Sequence, residues 1–332
     1  MALHRQIMSE VVLNSVQVAQ NEHSRVKFER LIAAAQSIPP QVCAVAHPCD
    51  ATSLKAALEA TQLGLIKAIL VGPRTRIEAV AKQESLDISG FELIDSPHSH
   101  ASADLAVALV REGRASLLMK GSLHTDELMQ SVVNAQTGLR TGRRLSHVFI
   151  MDVPTYPDPL FITDAAINIT PDLSCKVDIV QNAIDLHLAL GLGTPRVAIL
   201  SAVEQINPKM PTTIEAAALC KMADRGQITG GILDGPLAMD NAISPEAAAM
   251  KGLTSPVAGH AQILIVPDLE AGNMLAKNLS FLAGALAAGI VLGARVPIIL
   301  TSRADSRQAR LASCAVAAIY AHKKAIAQVA AI

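Results

Sequence analysis

Aromatic residues are scarce in this chain of 332 residues: tryptophan is absent, and there are two tyrosines and five phenylalanines. A core packed at the usual density must therefore be built mainly from alanine, leucine, isoleucine and valine. An excess of either charge is also lacking, since the formal net charge is −1. A balanced charge gives no electrostatic footprint for nucleic acid or an anionic membrane surface, so we expect neither as a partner.

Disulfide and export signals are missing as well. The five cysteines are an odd number at scattered positions and fit neither a disulfide framework nor a Cys-x-x-Cys metal pattern. Reduced thiols in the cytosol are the simplest interpretation, and no N-terminal stretch reads as a secretory signal, so we expect a cytoplasmic protein. The most apolar region, residues 279–300, is interrupted by three glycines, an arginine and a proline. This predicts a buried helix and strand rather than a membrane span.

Apolar residues are abundant, at 51% of the chain, which indicates extensive burial in a core or at an interface. We therefore expect a homodimer, with residues 279–292 packed closely at the interface or inside the protein. Short apolar strands alternate with helical patterns along the whole chain, as in βαβ units with a mainly parallel sheet. No Gly-x-Gly-x-x-Gly turn follows the first strand and no Walker A loop occurs.

The length favours two α/β domains, and a connector rich in glycine and arginine at residues 137–144 divides them. We predict a first domain of residues 1–145 plus about 303–332, and a second of residues 146–302. Strands at 147–151 and 160–163 are joined by a short proline-bearing link, which favours an antiparallel hairpin. Further along, we predict strands at 230–233 and 289–292 and a helix at 271–286.

Polar clusters follow four of the predicted strands. Ligand crevices form at the carboxyl ends of strands in open α/β sheets, so we expect the four clusters to lie together at one end of the sheets. The clusters are Lys120-Gly-Ser-Leu-His-Thr, Asp234-Gly-Pro-Leu-Ala-Met-Asp-Asn, Pro267-Asp-Leu-Glu-Ala-Gly-Asn and Thr301-Ser-Arg-Ala-Asp.

These clusters and the connector carry mixed chemistry. Five cations suit anions, namely Lys120, Arg140, Arg143, Arg144 and Arg303. Three carboxylates can accept protons, namely Asp240, Glu270 and Asp305. Among the histidines, only His124 is a candidate for the site. A divalent ion on Asp234, Asp240 and Asp268 is an alternative, but their spacing matches no metal motif, so we predict no metal.

The segment around Thr301 has two interpretations. Arg303 and the free N–H groups of the helix that follows would form an anion site at the end of the strand. Alternatively, Ser302 or Asp305 caps that helix, and Arg303 is merely solvated. Composition alone leaves both open.

Longer segments carry a family resemblance. The sequence resembles the phosphate acetyltransferase/phosphate butyryltransferase family from about residue 40 onward, most densely after residue 146, and two of these segments are nearer to the butyryl-type members. The matching segments are Leu160-Phe-Ile-Thr-Asp-Ala-Ala-Ile-Asn-Ile, Val203-Glu-Gln-Ile-Asn-Pro-Lys-Met-Pro, Asp234-Gly-Pro-Leu-Ala-Met-Asp-Asn-Ala-Ile-Ser, Ile265-Val-Pro-Asp-Leu-Glu-Ala-Gly-Asn and Leu300-Thr-Ser-Arg-Ala-Asp-Ser.

The resemblance implies an α/β fold of two domains around a cleft, with mainly parallel sheets as in isocitrate and isopropylmalate dehydrogenases, and usually a dimer. It implies reversible acyl transfer between coenzyme A and inorganic phosphate to give an acyl phosphate, with both as substrates and no cofactor. Ser302 would then contact the coenzyme A sulfur, and Arg303 would hold phosphate and the acyl carbonyl. The predicted substrate-binding residues are Lys120, His124, Thr125, Arg140, Arg144, Asp240, Asn241, Glu270 and Asn273.

Two positions depart from the acetyl-type pattern. The aspartate expected seven residues after Ser302 is Ala309 here, and Asp305 is the nearest replacement as the base. An arginine expected after the His-Thr segment aligns with about Gln130 here, and Arg140, Arg143 and Arg144 are the candidates to supply its charge. Two other functions stay open: a metal- and NAD-dependent hydroxy-acid dehydrogenase of the same fold, and an inactive protein that binds acyl-coenzyme A or phosphate.

Overall fold

The computed structural model describes residues 26–301 and 305–330. The strands are β1 (Gln41–Ala46), β2 (Ile66–Val71), β3 (Glu92–Ile94), β4 (Leu117–Lys120), β5 (Ser146–Asp152), β6 (Leu160–Thr163), β7 (Arg196–Leu200), β8 (Ile232–Leu237), β9 (Ile263–Ile265), β10 (Leu286–Leu292) and β11 (Ile298–Ile299). The helices are α1 (Val26–Gln36), α2 (Ala51–Gln62), α3 (Arg74–Gln83), α4 (Ser99–Arg111), α5 (Thr125–Val133), α6 (Leu173–Ala189), α7 (Pro211–Asp224), α8 (Met239–Ile243), α9 (Pro245–Met250), α10 (Leu269–Leu282) and α11 (Arg307–Ala330).

All eleven strands belong to one sheet, in the order β3-β2-β1-β4-β11-β10-β5-β6-β9-β7-β8. The first five strands in that order are mutually parallel and form a first block. The last four, β6, β9, β7 and β8, are also mutually parallel and form a second block. The two central strands, β10 and β5, join the blocks through antiparallel pairing. The expected α/β fold with a mainly parallel sheet is confirmed.

Strand direction reverses between the two blocks, because three successive antiparallel pairings separate β11 from β6. The carboxyl ends of β4 and β11 therefore point to one edge of the sheet, and those of β8 and β9 point to the opposite edge. The expectation that all four polar clusters share one end is wrong for this reason. Alternation of strands and helices predicts parallel pairing within each half of the chain, but not the relative direction of the two halves.

The predicted hairpin is confirmed: β5 and β6 pair antiparallel, with Val148 opposite Thr163. The helix predicted to end at residue 286 is wrong at its end, because α10 stops at Leu282 and Leu286 begins β10. Gly284 makes the break with a φ of +65°, a conformation that glycine adopts without the strain of a side chain. An alanine-rich apolar run suits a buried helix and a buried strand equally well.

A second boundary error concerns β8, which extends to Leu237 instead of stopping at residue 233. Asp234 consequently lies within the strand rather than in a loop after it, and its Oδ1 accepts a hydrogen bond of 2.8 Å from the Gly235 N–H. The short helix α8, which carries Asp240 and Asn241, follows the strand.

Helices cover both faces of the sheet. On one face a single apolar core runs through both blocks beneath the long helix α11, which packs against α1, α2, α6 and β10. On the other face two separate cores form, one under α4 and α5 and one under α8, α9 and α10. The division into two domains stays a prediction, as does the likeness to isocitrate dehydrogenase. No helix in the described segments is long and apolar enough to cross a membrane.

Candidate functional site

A cavity of about 880 Å³ lies between the two blocks of the sheet. Helix α5 of the first block forms one wall, and residues 166–168, which follow β6 of the second block, form another. Residues 140–145 close it. They overlap the connector predicted at residues 137–144, and from here on the word connector means residues 140–145. Three of the predicted site residues, Thr125, Arg140 and Arg144, line this connector cavity together.

Helix α6 fixes the connector in place. Asp178, Asn182 and Asp185 are spaced four and three residues apart, so they share one face of the helix. The Asp178 Oδ2 accepts the Arg144 N–H at 2.9 Å, and the buried Asn182 amide donates to the Arg144 carbonyl at 3.1 Å. Asp185 pairs with the Arg143 guanidinium at 2.5 Å. This α6 face therefore holds the backbone from which the arginine side chains project.

The connector cavity carries a net positive charge. Among the residues that the structure describes, Arg140 and Arg144 form no ion pair, whereas Arg143 is neutralised by Asp185. Asp126 is the one carboxylate in the wall. Asp172 and Asp178 lie near Arg144 outside the wall. Two guanidiniums without an ion pair favour an anionic ligand, which planar guanidiniums bind through paired hydrogen bonds.

The turn after β6 is a part of the site that our sequence analysis did not assign. The buried Asp164 accepts hydrogen bonds from the backbone N–H groups of Ala166, Ile167 and Asn168, at 2.9 to 3.1 Å. The Asn168 side chain donates to Asp164 at 2.6 Å and to the Leu145 carbonyl at 2.8 Å. Asp164 thereby shapes one wall of the cavity and ties it to the connector. A polar Thr-Asp pair at the end of an apolar strand was the available signal.

Gly293 gives the connector its close contact with the sheet. Its φ is +88°, and a Cβ at this position would lie 2.1 Å from the Arg144 carbonyl oxygen. We expect Gly293→Ala to destabilise the protein by about 3 kcal/mol or more, from left-handed strain plus overpacking. It should also weaken anion binding in the connector cavity. Urea unfolding and substrate titration measure the two effects.

Gly191→Ala is the matched control, because Gly191 has a φ of +72° but nothing within 4 Å of an added Cβ. It should cost only the backbone strain, about 1 kcal/mol, and leave substrate binding unchanged. Equal costs for the two substitutions would contradict the role given to the Gly293–Arg144 contact.

Lys120 and His124 lie beside the cavity, in the turn that leads from β4 to α5. The Lys120 Nζ donates to the Leu123 carbonyl at 3.1 Å. His124 occupies the position before α5, and its N–H donates to Glu127 at 2.8 Å. That bond, together with one from Ser99, keeps the pKa of Glu127 below its usual value. Both predicted residues therefore position the start of α5, where Thr125, the residue after His124, lines the cavity.

The remaining predicted substrate-binding residues lie outside the cavity wall. Asp240 is exposed on α8, and Glu270 is exposed in the first turn of α10. Asn241 is fully buried and donates to Glu204, which also pairs with Lys251. Asn273 donates to the Ala165 carbonyl at 3.2 Å, next to the turn that Asp164 organises. Of these four, only Asn273 contacts the segment that forms the site.

Ser302 and Arg303 lie outside the described residues. In the described segment that follows, Ser306 caps α11, since its Oγ accepts the Ala309 N–H at 3.1 Å. Asp305 as the cap is therefore wrong. Asp305 is half-buried, and its backbone carbonyl accepts a bond from Arg310. Ala309 is buried, at 4% exposure, so this position offers no proton acceptor.

His147, on β5, is buried, and its Nδ1 has no partner among the described residues. Burial lowers the pKa of His147 from 6.5 to about 4, against a smaller upward effect of Asp164. Between pH 6.5 and about 4, His147 is therefore protonated in the unfolded chain but neutral in the folded protein. We expect this histidine to remove about 3 kcal/mol of stability as the pH falls through that window.

His147→Gln tests this directly. The variant should show a shallower loss of unfolding free energy between pH 7 and pH 4.5 than the unmodified chain, measured in urea. The buried His187, whose pKa is also lowered by burial, remains in both proteins. Parallel pH profiles for the two proteins would show that His147 does not titrate as expected.

The alternative of a divalent ion on Asp234, Asp240 and Asp268 has no geometric support in the described segments, which contain no group of three or more histidine, cysteine, aspartate or glutamate side chains placed to hold a metal. Asp268 instead caps α10 by accepting the Ala271 N–H at 2.8 Å, and Asp234 lies within β8. Both carboxylates accept hydrogen bonds from backbone N–H groups close to them in the chain.

Comparison with a solved structure concerns the fold. The fold is similar to that of a branched-chain phosphotransacylase from Enterococcus faecalis V583, with a TM-score of 0.74 and 31% identity over 85% of this chain and 99% of that one. The fold is therefore that of the phosphotransacylase class.

Sequence comparisons define the family. A phosphate acetyl/butaryl transferase family model matches residues 100–318. The phosphate acetyltransferase of Rhizobium meliloti is 69% identical over 92% of this chain and 97% of its own length. The phosphate butyryltransferase of Clostridium acetobutylicum is 42% identical over 90% of this chain and 99% of its own length. The chain belongs to the phosphate acetyl/butyryltransferase family, as the resemblance indicated.

Proposed function

We propose that this protein is an acyltransferase that moves an acetyl group reversibly between coenzyme A and inorganic phosphate, to give acetyl phosphate. The observation that carries the proposal is the connector cavity, where Arg140 and Arg144 lie unpaired inside the segment matched by the family. Both substrates are polyanions, and a cavity of this size and charge suits the phosphates of one of them. Neither a metal nor a redox cofactor is part of the proposal.

The chemistry requires three things of the protein. The thioester must be held in line with phosphate, which is a matter of positioning. Cations must stabilise the oxyanion of the tetrahedral intermediate, and a base must take the proton of the coenzyme A thiol in the reverse direction. We assign the sulfur contact to Ser302, the phosphate and carbonyl contacts to Arg303, and the base to Asp305. The roles of Ser302 and Arg303 follow from the family resemblance, whereas Asp305 is chosen as the carboxylate nearest to the position that Ala309 occupies.

The predicted binding residues are given different roles according to where they lie relative to the connector cavity. Thr125, Arg140 and Arg144 contact substrate directly in the proposal, because they line the cavity. Lys120, His124 and Asn273 support its walls. Asp240 and Glu270 are kept as contacts made only when substrate extends beyond the cavity. Asn241 stays a predicted binding residue from the sequence, but it is fully buried against Glu204 and supports Asp240 only as its neighbour on α8.

The acyl group is proposed to be acetyl rather than butyryl. The relative named an acetyltransferase is 69% identical, whereas the one named a butyryltransferase is 42% identical. This reverses our preference from two short segments. Steady-state kinetics with acetyl-, propionyl- and butyryl-coenzyme A should give the highest kcat/KM for the acetyl thioester. A butyryl thioester preferred tenfold would restore the butyryl assignment.

We also propose a homodimer in the cytosol. Helix α10 exposes large apolar side chains: Met274 near its middle is 60% exposed, and Phe281 and Leu282 at its end are 78% and 84% exposed. A contiguous exposed patch of this kind is common at subunit interfaces. Five free thiols fit a reducing compartment.

The dimer is tested by analytical ultracentrifugation. We expect a single dimeric species at micromolar concentration, and Phe281→Glu should shift it toward the monomer. Ile326→Glu, at a position that is 51% exposed on α11, is the control and should leave the dimer intact. A monomer in the unmodified protein would refute the proposal.

A further inference from the structure

A second cavity, of about 500 Å³, adjoins the connector between α6 and the C-terminal half of α11. We call it the helix cavity. Its size falls within the usual range for small-molecule sites. Thr141 and Arg143 line both this cavity and the connector cavity, so the two share a wall.

Cations dominate the helix cavity. Arg143, Lys323 and Lys324 face one carboxylate, Asp185, which already pairs with Arg143. The Lys324 Nζ donates to the carbonyls of Ala294 and Arg295, at 3.4 and 3.1 Å, and is thereby held in place. Burial, and then the nearby Arg143, lower the pKa of Lys324. An anion would relieve this repulsion between like charges.

The fourth charged group, Lys323, is exposed and forms no ion pair with any residue in the described part of the chain. Most of the remaining wall is apolar or aromatic, formed by alanines from α6, α11 and the segment after β10 and by the ring of Tyr320; Thr141 and Asn182 are its uncharged polar members. A fixed cation, a free cation and an apolar wall suit a small organic molecule that carries a phosphate group.

We propose that the helix cavity binds the phosphate group of a small metabolite and that its occupation weakens substrate binding in the connector cavity. The link is Arg143. An anion in the helix cavity competes with Asp185 for its guanidinium, which Asp185 pairs with at 2.5 Å. This changes the field and the position of the connector that carries Arg140 and Arg144. The predicted regulation is inhibition through a higher KM.

Tyr320 gives a direct reporter for binding. The chain has no tryptophan and two tyrosines, so Tyr156→Phe leaves Tyr320 as its only tyrosine. Glucose 6-phosphate is the probe, because it does not absorb where tyrosine does, and glucose is the control without phosphate. Calorimetric titration of the unmodified protein with glucose 6-phosphate checks the dissociation constant without any substitution.

We expect a saturable change in Tyr320 fluorescence with glucose 6-phosphate and none with glucose. Lys323→Gln should weaken this binding roughly tenfold, in keeping with the loss of one charge-assisted hydrogen bond. Lys277→Gln, on α10 and lining neither cavity, should leave it unchanged. No saturable binding, or binding that Lys323→Gln does not weaken, would overturn the proposal.

Inorganic phosphate in the same titration distinguishes the sources of the phosphate group. If inorganic phosphate has the same dissociation constant as glucose 6-phosphate, free phosphate is the occupant. If inorganic phosphate binds much more weakly, the phosphate ester is the occupant. Either result supports a phosphate site.

Inhibition is then measured with acyl phosphate and coenzyme A. Glucose 6-phosphate should raise the KM about fivefold or more, and Lys323→Gln should abolish this effect without changing basal activity. Binding with an unchanged KM would overturn the coupling. This second measurement rests on the proposed function, whereas the fluorescence titration does not, so failure of one is distinguishable from failure of the other.

Discussion

Asp305→Asn is expected to lower turnover roughly 10²–10⁴-fold in the direction acyl phosphate plus coenzyme A, the usual contribution of a positioned proton acceptor. Asparagine keeps the size and polarity of the side chain but cannot take the thiol proton. The loss should shrink as the pH rises, because the thiol then ionises in solution without help. Stopped-flow or coupled assays over pH 6.5 to 9 measure it.

The helix cap supplies a clean control for this substitution. Ser306, not Asp305, accepts the Ala309 N–H at 3.1 Å, so Ser306→Ala should cost about 1 kcal/mol of stability while turnover is retained. A loss of activity from disturbing the start of α11 would appear in both variants. Near-normal turnover of Asp305→Asn would eliminate it as the base and direct attention to His124 before Glu270, because His124 follows β4, which is parallel to β11, whereas Glu270 follows β9 at the opposite end of the sheet.

Arg144→Gln is expected to lower kcat/KM for acetyl-coenzyme A about 10- to 100-fold, mainly through a higher KM. The estimate corresponds to the loss of a hydrogen bond to a charged group. Its side chain projects from a backbone that Asp178 and Asn182 hold from α6, so glutamine leaves that scaffold intact. Arg140→Gln should act in the same direction.

Arg225→Gln is the matched control for the arginine variants, because Arg225 is exposed at the end of α7 and lines neither cavity. Its kinetics should equal those of the unmodified protein. If Arg144→Gln behaves like Arg225→Gln, the connector cavity is not where the substrate anion binds. Added salt should narrow the difference between Arg144→Gln and the unmodified protein, since exposed charges are screened.

The sequence predicted the strands well and their directions poorly. Runs such as residues 42–46 and 160–163 are short, apolar and bounded by turn residues, so local pattern is sufficient to place them. The reversal between the blocks depends on β10, which comes late in the chain and inserts between β11 and β5. No local pattern encodes such an insertion.

Prediction of the candidate site is limited for the same reason, because local pattern does not encode contacts between distant parts of the chain. Charged residues near Arg140 were predictable, because a Gly- and Arg-rich connector between apolar segments signals exposure and charge. Which arginine is neutralised was not, since Asp185 meets Arg143 across 42 residues of sequence. Likewise, Asn241 stood in a polar cluster that read as a ligand loop, yet it is fully buried against Glu204.

The release of coenzyme A from acetyl-coenzyme A by the purified protein tests the central claim most directly. With a chelator present and no NAD added, the account predicts release that depends on inorganic phosphate or arsenate, with acetyl phosphate as the product when phosphate is used. A folded protein that binds acetyl-coenzyme A but releases no coenzyme A from the acetyl, propionyl or butyryl thioester would contradict it.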